Sequence, residues 1–161
     1  MTFGSLFAGI GGLDLGLERA GLTCKWQVEI NEYARRILAR HWPNVRRWDD
    51  VTTFLADTTA ILRRLYGRQA DALEKSSDWN VDLICGGFPC QDISYAGKGA
   101  GLDGKRSGLF YELMRIVRVL GPRYVLLENV AALLTRGIDA VLGSLAACGY
   151  DAEWTCIPAA A

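Results

Sequence analysis

FGSLFAGIGGLDLGLERAG, residues 3–21, is the stretch that decides the fold of this chain. Residues 3–8 form an apolar run that predicts a buried strand, and the glycines that follow predict a tight turn. Apolar side chains then recur at helical spacing until a further glycine ends the pattern; they are Leu13, Leu17 and Ala20. The stretch therefore predicts a strand, a glycine turn and a helix in succession.

The rest of the chain repeats this alternation. Alternating or continuous apolar residues predict four more strands, at 24–28, 81–85, 124–127 and 150–156. Periodic apolar residues predict helices that begin after the cap Asn31, at 110–120 and at 138–145. Strands that alternate with helices indicate an α/β fold with a doubly wound, mostly parallel sheet. The length of 161 residues suits a single domain, 1–161.

The charge and the cysteine content exclude several classes of protein. Lys and Arg together number 18, as do Asp and Glu, so no broad positive field exists that would bind any nucleic acid. The five cysteines form no CxxC pair, which argues against a disulfide framework and a structural zinc site. Because no apolar run of about 18 residues and no signal peptide occur, we expect a cytoplasmic protein without membrane or metal partners.

The residues that follow each predicted strand are the candidate site, because parallel sheets bind ligands beyond the carboxyl ends of their strands. After the first strand, the spacing of Phe7, Gly9 and Gly11 allows a ligand to approach the backbone closely. Glu29 follows the second strand about twenty residues on, where dinucleotide-binding folds place a ribose-binding acid. The third glycine comes directly after the second, whereas GxGxxG has two residues between them. This departure favours an adenosine cofactor without a pyrophosphate. A turn that serves packing alone is the competing interpretation.

Cys90 and Glu128 are the candidate catalytic pair. Cys90 follows the predicted strand 81–85 on a turn rich in glycine and proline, where exposure and nearby backbone amides favour the thiolate. Glu128 ends the strand 124–127 and brings a carboxyl group into the same crevice, with a helix cap as its alternative role. A cysteine and a carboxyl group in one pocket indicate covalent catalysis. The other four cysteines are predicted to be buried: Cys24, Cys85, Cys148 and Cys156.

Three motifs in this order resemble those of the bacterial and phage DNA cytosine-5 methyltransferases: FAGIGG at 7–12, GFPCQ at 87–91 and ENV at 128–130. The resemblance spans essentially the whole chain and implies a Rossmann-like methyltransferase fold that binds S-adenosyl-L-methionine. It implies that Glu29 binds the ribose, Asp50 lies near the adenine and Leu109 packs on the adenine. The cofactor-binding residues implied in this way are Phe7, Ala8, Gly9, Ile10, Gly11, Gly12, Glu29, Ile30, Asp50, Val51, Pro89 and Leu109.

The resemblance also implies a mechanism in which Cys90 is the nucleophile. Its thiolate adds to carbon 6 of a cytosine swung out of double-stranded DNA, Glu128 hydrogen-bonds the ring, and carbon 5 then takes the methyl group. No metal is required for this chemistry. The long glycine-rich loop at 86–108 is implied to close over the DNA. The side chains expected to contact DNA are Gln91, Ser94, Lys98, Arg106 and Asn129.

The family normally continues past the position that matches Ala161, into an arginine-bearing motif and a target-recognition region. We therefore expect an amino-terminal catalytic part, truncated at its carboxyl-terminal side, that needs a missing segment or a second chain for its activity in restriction–modification. A sheet cut in this way is expected to have an unpaired edge and marginal stability. Three alternatives stay open: a noncatalytic remnant that binds the cofactor or a partner, an RNA cytosine methyltransferase, and a nicotinamide or flavin enzyme that shares only the sheet.

Overall fold

The computed structural model describes residues 1–55, 79–89 and 108–158. These residues form a sheet of five parallel strands in the order β3-β2-β1-β4-β5, with helices between the strands. The elements in chain order are β1 (Thr2–Leu6), α1 (Gly12–Arg19), β2 (Thr23–Val28), α2 (Glu32–His41), β3 (Arg46–Trp48), β4 (Leu83–Gly86), α3 (Leu109–Leu120), β5 (Tyr124–Leu127), α4 (Leu133–Arg136) and α5 (Ile138–Ala146). The prediction of a doubly wound parallel sheet is confirmed.

The strand order reverses between β1 and β4. The chain builds β2 and β3 on one side of β1 and then returns to build β4 and β5 on the other side. At the carboxyl edge of the sheet, Leu6 pairs with Val28 and with Gly86, and Gly86 pairs with Leu127. These four strand ends therefore form one row, at the place where doubly wound folds bind their ligands.

Buried apolar side chains form two clusters that hold the helices against the sheet. The larger cluster joins the middle of the sheet to the inner side of α3; its fully buried members include Leu6, Trp26, Ile84, Phe110, Leu113 and Ile116. The smaller cluster joins three strands to α2 through Phe3, Cys24, Leu38, Trp42 and Cys85. Because packing holds β1, β2 and β4 in place, the turns that follow these strands begin at fixed positions.

The strand predicted at residues 150–156 is wrong. The segment from Tyr150 to Pro158 forms no strand, and residues 151–158 are exposed. Alternation of apolar and polar residues indicates only which side chains face inward, whereas a strand also needs a hydrogen-bonded neighbour. Here a cavity of about 360 Å³ is lined by both β5 and this segment. Cys156, which was predicted to be buried, is consequently exposed.

The fifth strand is instead β3, which the sequence did not predict. It pairs with β2 in parallel, with Trp26 opposite Arg46 and Val28 opposite Trp48. A strand of three residues, two of them arginine, has no apolar run that a pattern could detect.

In the described part of the chain, no helix combines the length and the apolar character that crossing a membrane requires.

Candidate active site

The turn after β1 has a backbone conformation that side chains rarely adopt. Phe7 has a φ of 55°, and Gly9 and Gly11 have φ values of 56° and 92°. Residues other than glycine in such regions cost about 1–3 kcal/mol each and concentrate at functional sites. The conformation of Phe7 explains why β1 ends at Leu6, two residues before the predicted end of the strand at Ala8.

Trp42 packs against this turn and requires glycine at position 11. A Cβ at Gly11 would lie 2.5 Å from the Trp42 ring and 3.0 Å from a methyl group of Leu38. A real Cβ does not approach other atoms so closely, so the turn sits directly on the end of α2. No local sequence pattern connects Trp42 with a glycine turn so far away along the chain.

Glu29 lies at the glycine turn, as its spacing in the sequence suggested. Its Oε2 accepts a hydrogen bond from the backbone N–H of Gly9 at 2.8 Å, and its Oε1 accepts one from Asn31 N at 2.7 Å. Arg35 donates to the carbonyl oxygen of Glu29 at 2.8 Å, which holds the backbone at the same point. The carboxylate that follows β2 is thereby fixed beside the turn that follows β1.

The surface around this carboxylate is open and partly apolar. Ile10 is 62% exposed and Ile30 is 74% exposed. At Gly9 and Gly12, no atom of the described residues other than the local chain lies within 4 Å of the position that a Cβ would take. The turn therefore leaves its backbone open at Gly9 and Gly12, and it is flanked by two isoleucine side chains that are mostly exposed.

The other residues predicted to bind a cofactor have mixed surroundings. Asp50 Oδ1 accepts hydrogen bonds from the backbone and the hydroxyl of Thr52, at 2.8 and 2.7 Å. Val51 is only 6% exposed and packs in the larger core cluster, so its side chain is directed away from solvent. Phe7, Ala8 and Leu109 are partly buried, with Phe7 and Leu109 against the larger cluster and Ala8 against the smaller one.

The turns that follow β4 and β5 are joined directly. Asn129 Nδ2 donates to the carbonyl oxygen of Phe88 at 3.0 Å. The Glu128 carboxyl group lies against Gly87, where a Cβ would come within 2.7 Å of Glu128 Oε2. Glu128 itself is exposed and Pro89 is partly buried. A carboxyl group and the chain that leads to position 90 are thus adjacent at the carboxyl edge of the sheet.

Five of the predicted site residues lie outside the described residues: Cys90, Gln91, Ser94, Lys98 and Arg106.

Two of the described cysteines are unsuited to act as nucleophiles. Cys24 and Cys85 are buried, and burial raises the pKa of both thiols, that of Cys85 to about 12. Among the described His, Cys, Asp and Glu side chains, no three form a group that could hold a metal ion.

Comparison with known proteins gives a family match over the whole chain. The sequence model of the C-5 cytosine-specific DNA methylases matches residues 1–161. Type II methyltransferase M.Sau96I of Staphylococcus aureus is 34% identical over 152 residues, which are 92% of this chain and 32% of that protein. Type II methyltransferase M.Eco47II of Escherichia coli is 35% identical over 140 residues, 87% of this chain and 30% of that protein. The chain thus spans about a third of the length of these relatives.

Solved structures show the same arrangement of elements. A prophage protein of Escherichia coli, assigned as a DNA modification methyltransferase, superimposes with a TM-score of 0.66 at 28% identity, over 91% of this chain and 38% of that one. Spodoptera frugiperda DNMT2 superimposes with a TM-score of 0.61 at 22% identity, over 91% of this chain and 41% of that one, which supports the fold alone.

Proposed function

Because this chain belongs to the C-5 cytosine-specific DNA methylase family, we propose that the protein transfers a methyl group from S-adenosylmethionine to carbon 5 of a cytosine in DNA. Its relatives are Type II methyltransferases, so the chain comes from a family of enzymes that act in restriction–modification. The sequence predicts a cytoplasmic location, which suits an enzyme with this substrate.

The contact between the turns after β4 and β5 is the observation that carries the proposal. Asn129 holds the Phe88 carbonyl group, and position 90 follows two residues later. Glu128 lies against Gly87 of the same turn. The motif that would supply a thiolate and the motif that would supply a carboxyl group are therefore physically attached. Covalent activation of a pyrimidine needs both groups at one ring.

The residues at the glycine turn fit S-adenosylmethionine. Each oxygen of Glu29 accepts one backbone hydrogen bond, which leaves lone pairs for the two ribose hydroxyl groups. The exposed Ile30 offers an apolar surface for one face of the adenine ring, and Asp50 is predicted to lie near that ring. The open positions at Gly9 and Gly12 leave room for the rest of the molecule. When bound, the cofactor supplies a methyl group on a cationic sulfur.

Cys90 and Glu128 would divide the work on the cytosine ring. Glu128 would hydrogen-bond ring nitrogen 3 and the exocyclic amine, which draws electron density away from carbon 6. The Cys90 thiolate would then form a bond to carbon 6, and carbon 5 would gain the nucleophilic character needed to take the methyl group. Loss of the proton from carbon 5 would break the bond to sulfur and regenerate the thiolate.

The DNA contacts of Gln91, Ser94, Lys98 and Arg106 remain predictions that complete this scheme. The ring faces of a paired cytosine are covered by stacking, so the base has to leave the duplex before Cys90 can add to it. Asn129 is predicted to contact DNA as well. Its Nδ2 also donates to the carbonyl oxygen of Phe88, which holds the two turns together.

The covalent step can be tested with DNA that contains 5-fluorocytosine. The fluorine cannot leave as a proton does, so the protein as its gene encodes it should stay attached to the DNA in a denaturing gel. Cys90→Ser should abolish both the attachment and the transfer of labelled methyl groups. Cys156→Ser, which removes an exposed thiol far along the chain from the motifs, should retain both.

Two results would contradict this mechanism. Undiminished transfer by Cys90→Ser would remove Cys90 as the nucleophile. Binding of S-adenosylmethionine without attachment to the fluorinated DNA would favour a noncatalytic protein that only binds the cofactor. RNA of the same sequence serves as the parallel substrate, and transfer to RNA alone would replace DNA in the proposal.

We further propose that a segment outside this chain's sequence, from the same polypeptide or a second one, fills the cavity beside β5. In the described sheet β5 pairs only with β4. The cavity next to it is lined by exposed apolar side chains, which include Leu126, Trp154 and Ile157 at 38%, 60% and 84% exposure. A strand laid there would cover these side chains and pair with the outer edge of β5. Such a segment would also supply contacts that the DNA substrate needs.

A further inference from the structure

Three buried polar side chains meet at Asp14 in α1. The carboxyl group is 0% exposed, and its Oδ2 accepts a hydrogen bond from the Ser5 hydroxyl group of β1 at 2.9 Å. Its Oδ1 accepts one from Gln27 Nε2 of β2 at 2.7 Å. Ser5 and Gln27 are themselves 1% and 0% exposed. One carboxyl group thus joins the three elements that surround the glycine turn.

Each member of this network lies two residues from the proposed cofactor site. Ser5 precedes Phe7 at the end of β1, and Gln27 precedes Glu29 at the end of β2. Asp14 follows Gly12, the last glycine of the turn. Gln27 is the penultimate residue of β2, and Glu29 directly follows the strand. The network therefore connects every chain segment that enters the turn.

Burying the polar groups of this network costs free energy. Burial raises the pKa of Asp14, although the hydrogen bonds from Gln27 and Ser5 act in the opposite direction. The second polar atom of the Gln27 amide, Oε1, is buried without a hydrogen-bond partner in the described residues. Apolar side chains of the same size often stabilise a fold more than a buried polar group does. Stability alone therefore does not explain this choice of residues.

The choice of these buried polar residues is explained if they hold α1 at one fixed position on the sheet. The helix begins at Gly12, directly after Gly11 in the left-handed conformation, and no side-chain hydrogen bond caps its first turn. Apolar contacts set the distance between a helix and a sheet but tolerate sliding and rotation, whereas hydrogen bonds have defined directions. The bonds from Asp14 to two neighbouring strands specify where the helix starts, and hence where the bare backbone of the turn faces.

We propose that Asp14 is a positioning residue for the methyl donor. Through Ser5 and Gln27 it holds the glycine turn and Glu29 in the relative position at which both contact the cofactor. This inference rests on the proposed function, because the donor is the ligand that the turn and Glu29 are proposed to bind. Asp14 itself does not touch the ligand. It acts only by positioning the backbone that touches the ligand.

The test compares Asp14→Asn and Ser5→Ala with the unmodified protein as its gene encodes it. Asp14→Asn keeps the size of the side chain but leaves one oxygen to accept hydrogen bonds instead of two. The KM for S-adenosylmethionine should rise by roughly tenfold, the lower end of what the residues behind a binding group contribute at metal sites. The kcat and the KM for DNA should stay unchanged. Ser5→Ala should give a smaller rise in the same direction.

Val117→Ala is the matched control, because Val117 is fully buried in the larger cluster and belongs to neither the turn nor the network of Asp14. It should lower the melting temperature without raising the KM for the cofactor. Hydrogen exchange gives a readout that needs no ligand: Asp14→Asn should speed exchange at residues 8–12 and leave α3 unchanged. This readout stays decisive even if the unmodified protein transfers no methyl group, which would count against the proposed function instead.

Two outcomes would overturn the inference. In the first, Asp14→Asn speeds exchange equally in the turn and in α3, which would mean that the network only stabilises the fold. In the second, Val117→Ala raises the KM for the cofactor as much as Asp14→Asn does, so that any loss of stability would have the same effect.

Discussion

The missing side chain at position 87 decides where the Glu128 carboxyl group can lie. Gly87→Ala would place a Cβ 2.7 Å from Glu128 Oε2, so the carboxyl group would have to move. A displacement of about 1 Å at a reacting group can cost a factor of about 100 in rate. We expect methyl transfer to fall by about that factor while the melting temperature changes little. Gly143→Ala, where the added Cβ lies more than 4 Å from every described atom outside the local helix, should leave transfer unchanged.

The buried thiol of Cys85 makes stability depend on alkaline pH. Burial raises its pKa from 9.0 to about 12, so the thiol ionises above pH 9 in the unfolded chain but stays neutral in the folded one. The contribution of this thiol to the free energy of unfolding is therefore complete below pH 9. It is lost as the pH rises from 9 toward 12, by about 1.4 kcal/mol per pH unit. We expect the melting temperature to fall over this range. Cys85→Ala should make the fall shallower, and an equal fall in that variant would contradict the assignment. Cys156→Ala is the exposed control.

At the scale of elements, Arg115 connects α3 to the segment that carries Asp50. Its Nη2 donates to the carbonyl oxygens of Val51 and Phe54, at 3.2 and 3.0 Å. Arg115→Met should leave both carbonyl groups without this donor and lower the free energy of unfolding by about 1–3 kcal/mol in urea denaturation. Arg118→Met, an exposed arginine on the same helix, should change it little. Equal losses in the two variants would show that the bonds to the segment contribute nothing.

The sequence predicted those elements whose patterns are long and whose neighbours are local. The strands around Leu6 and Leu127 lie in apolar runs, and the strand around Val28 alternates apolar and polar residues. Their parallel arrangement follows from the helices between them. The pairing of Arg46–Trp48 with β2 and the exposure of residues 151–158 depend on which strand edge is available, and no local pattern records that. At the site, Glu29 was found from its spacing to the glycine turn. Trp42 and Asp14 were missed because their roles arise from packing against residues distant in sequence.

At the scale of the whole molecule, the sheet is unevenly covered. The ends of β1, β2 and β4 are held by two packed clusters, whereas the outer side of β5 borders an open cavity. Tyr124 and Leu126 of β5 are 44% and 38% exposed, and Trp154 across the cavity is 60% exposed. An exposed strand edge beside apolar side chains favours pairing with another chain. The proposed segment that completes the protein would compete with such pairing.

We therefore expect this chain, prepared without a completing segment, to self-associate as its concentration rises. Leu126→Lys should reduce the association, because a charged lysine on an edge strand opposes pairing with a second copy. Sedimentation velocity measures the effect directly. Tyr33→Lys is the control, since Tyr33 is 70% exposed on α2 and does not line the cavity. A chain that stays monomeric at every concentration would show that the side chains around the cavity tolerate water, and the case for a segment that covers them would fail.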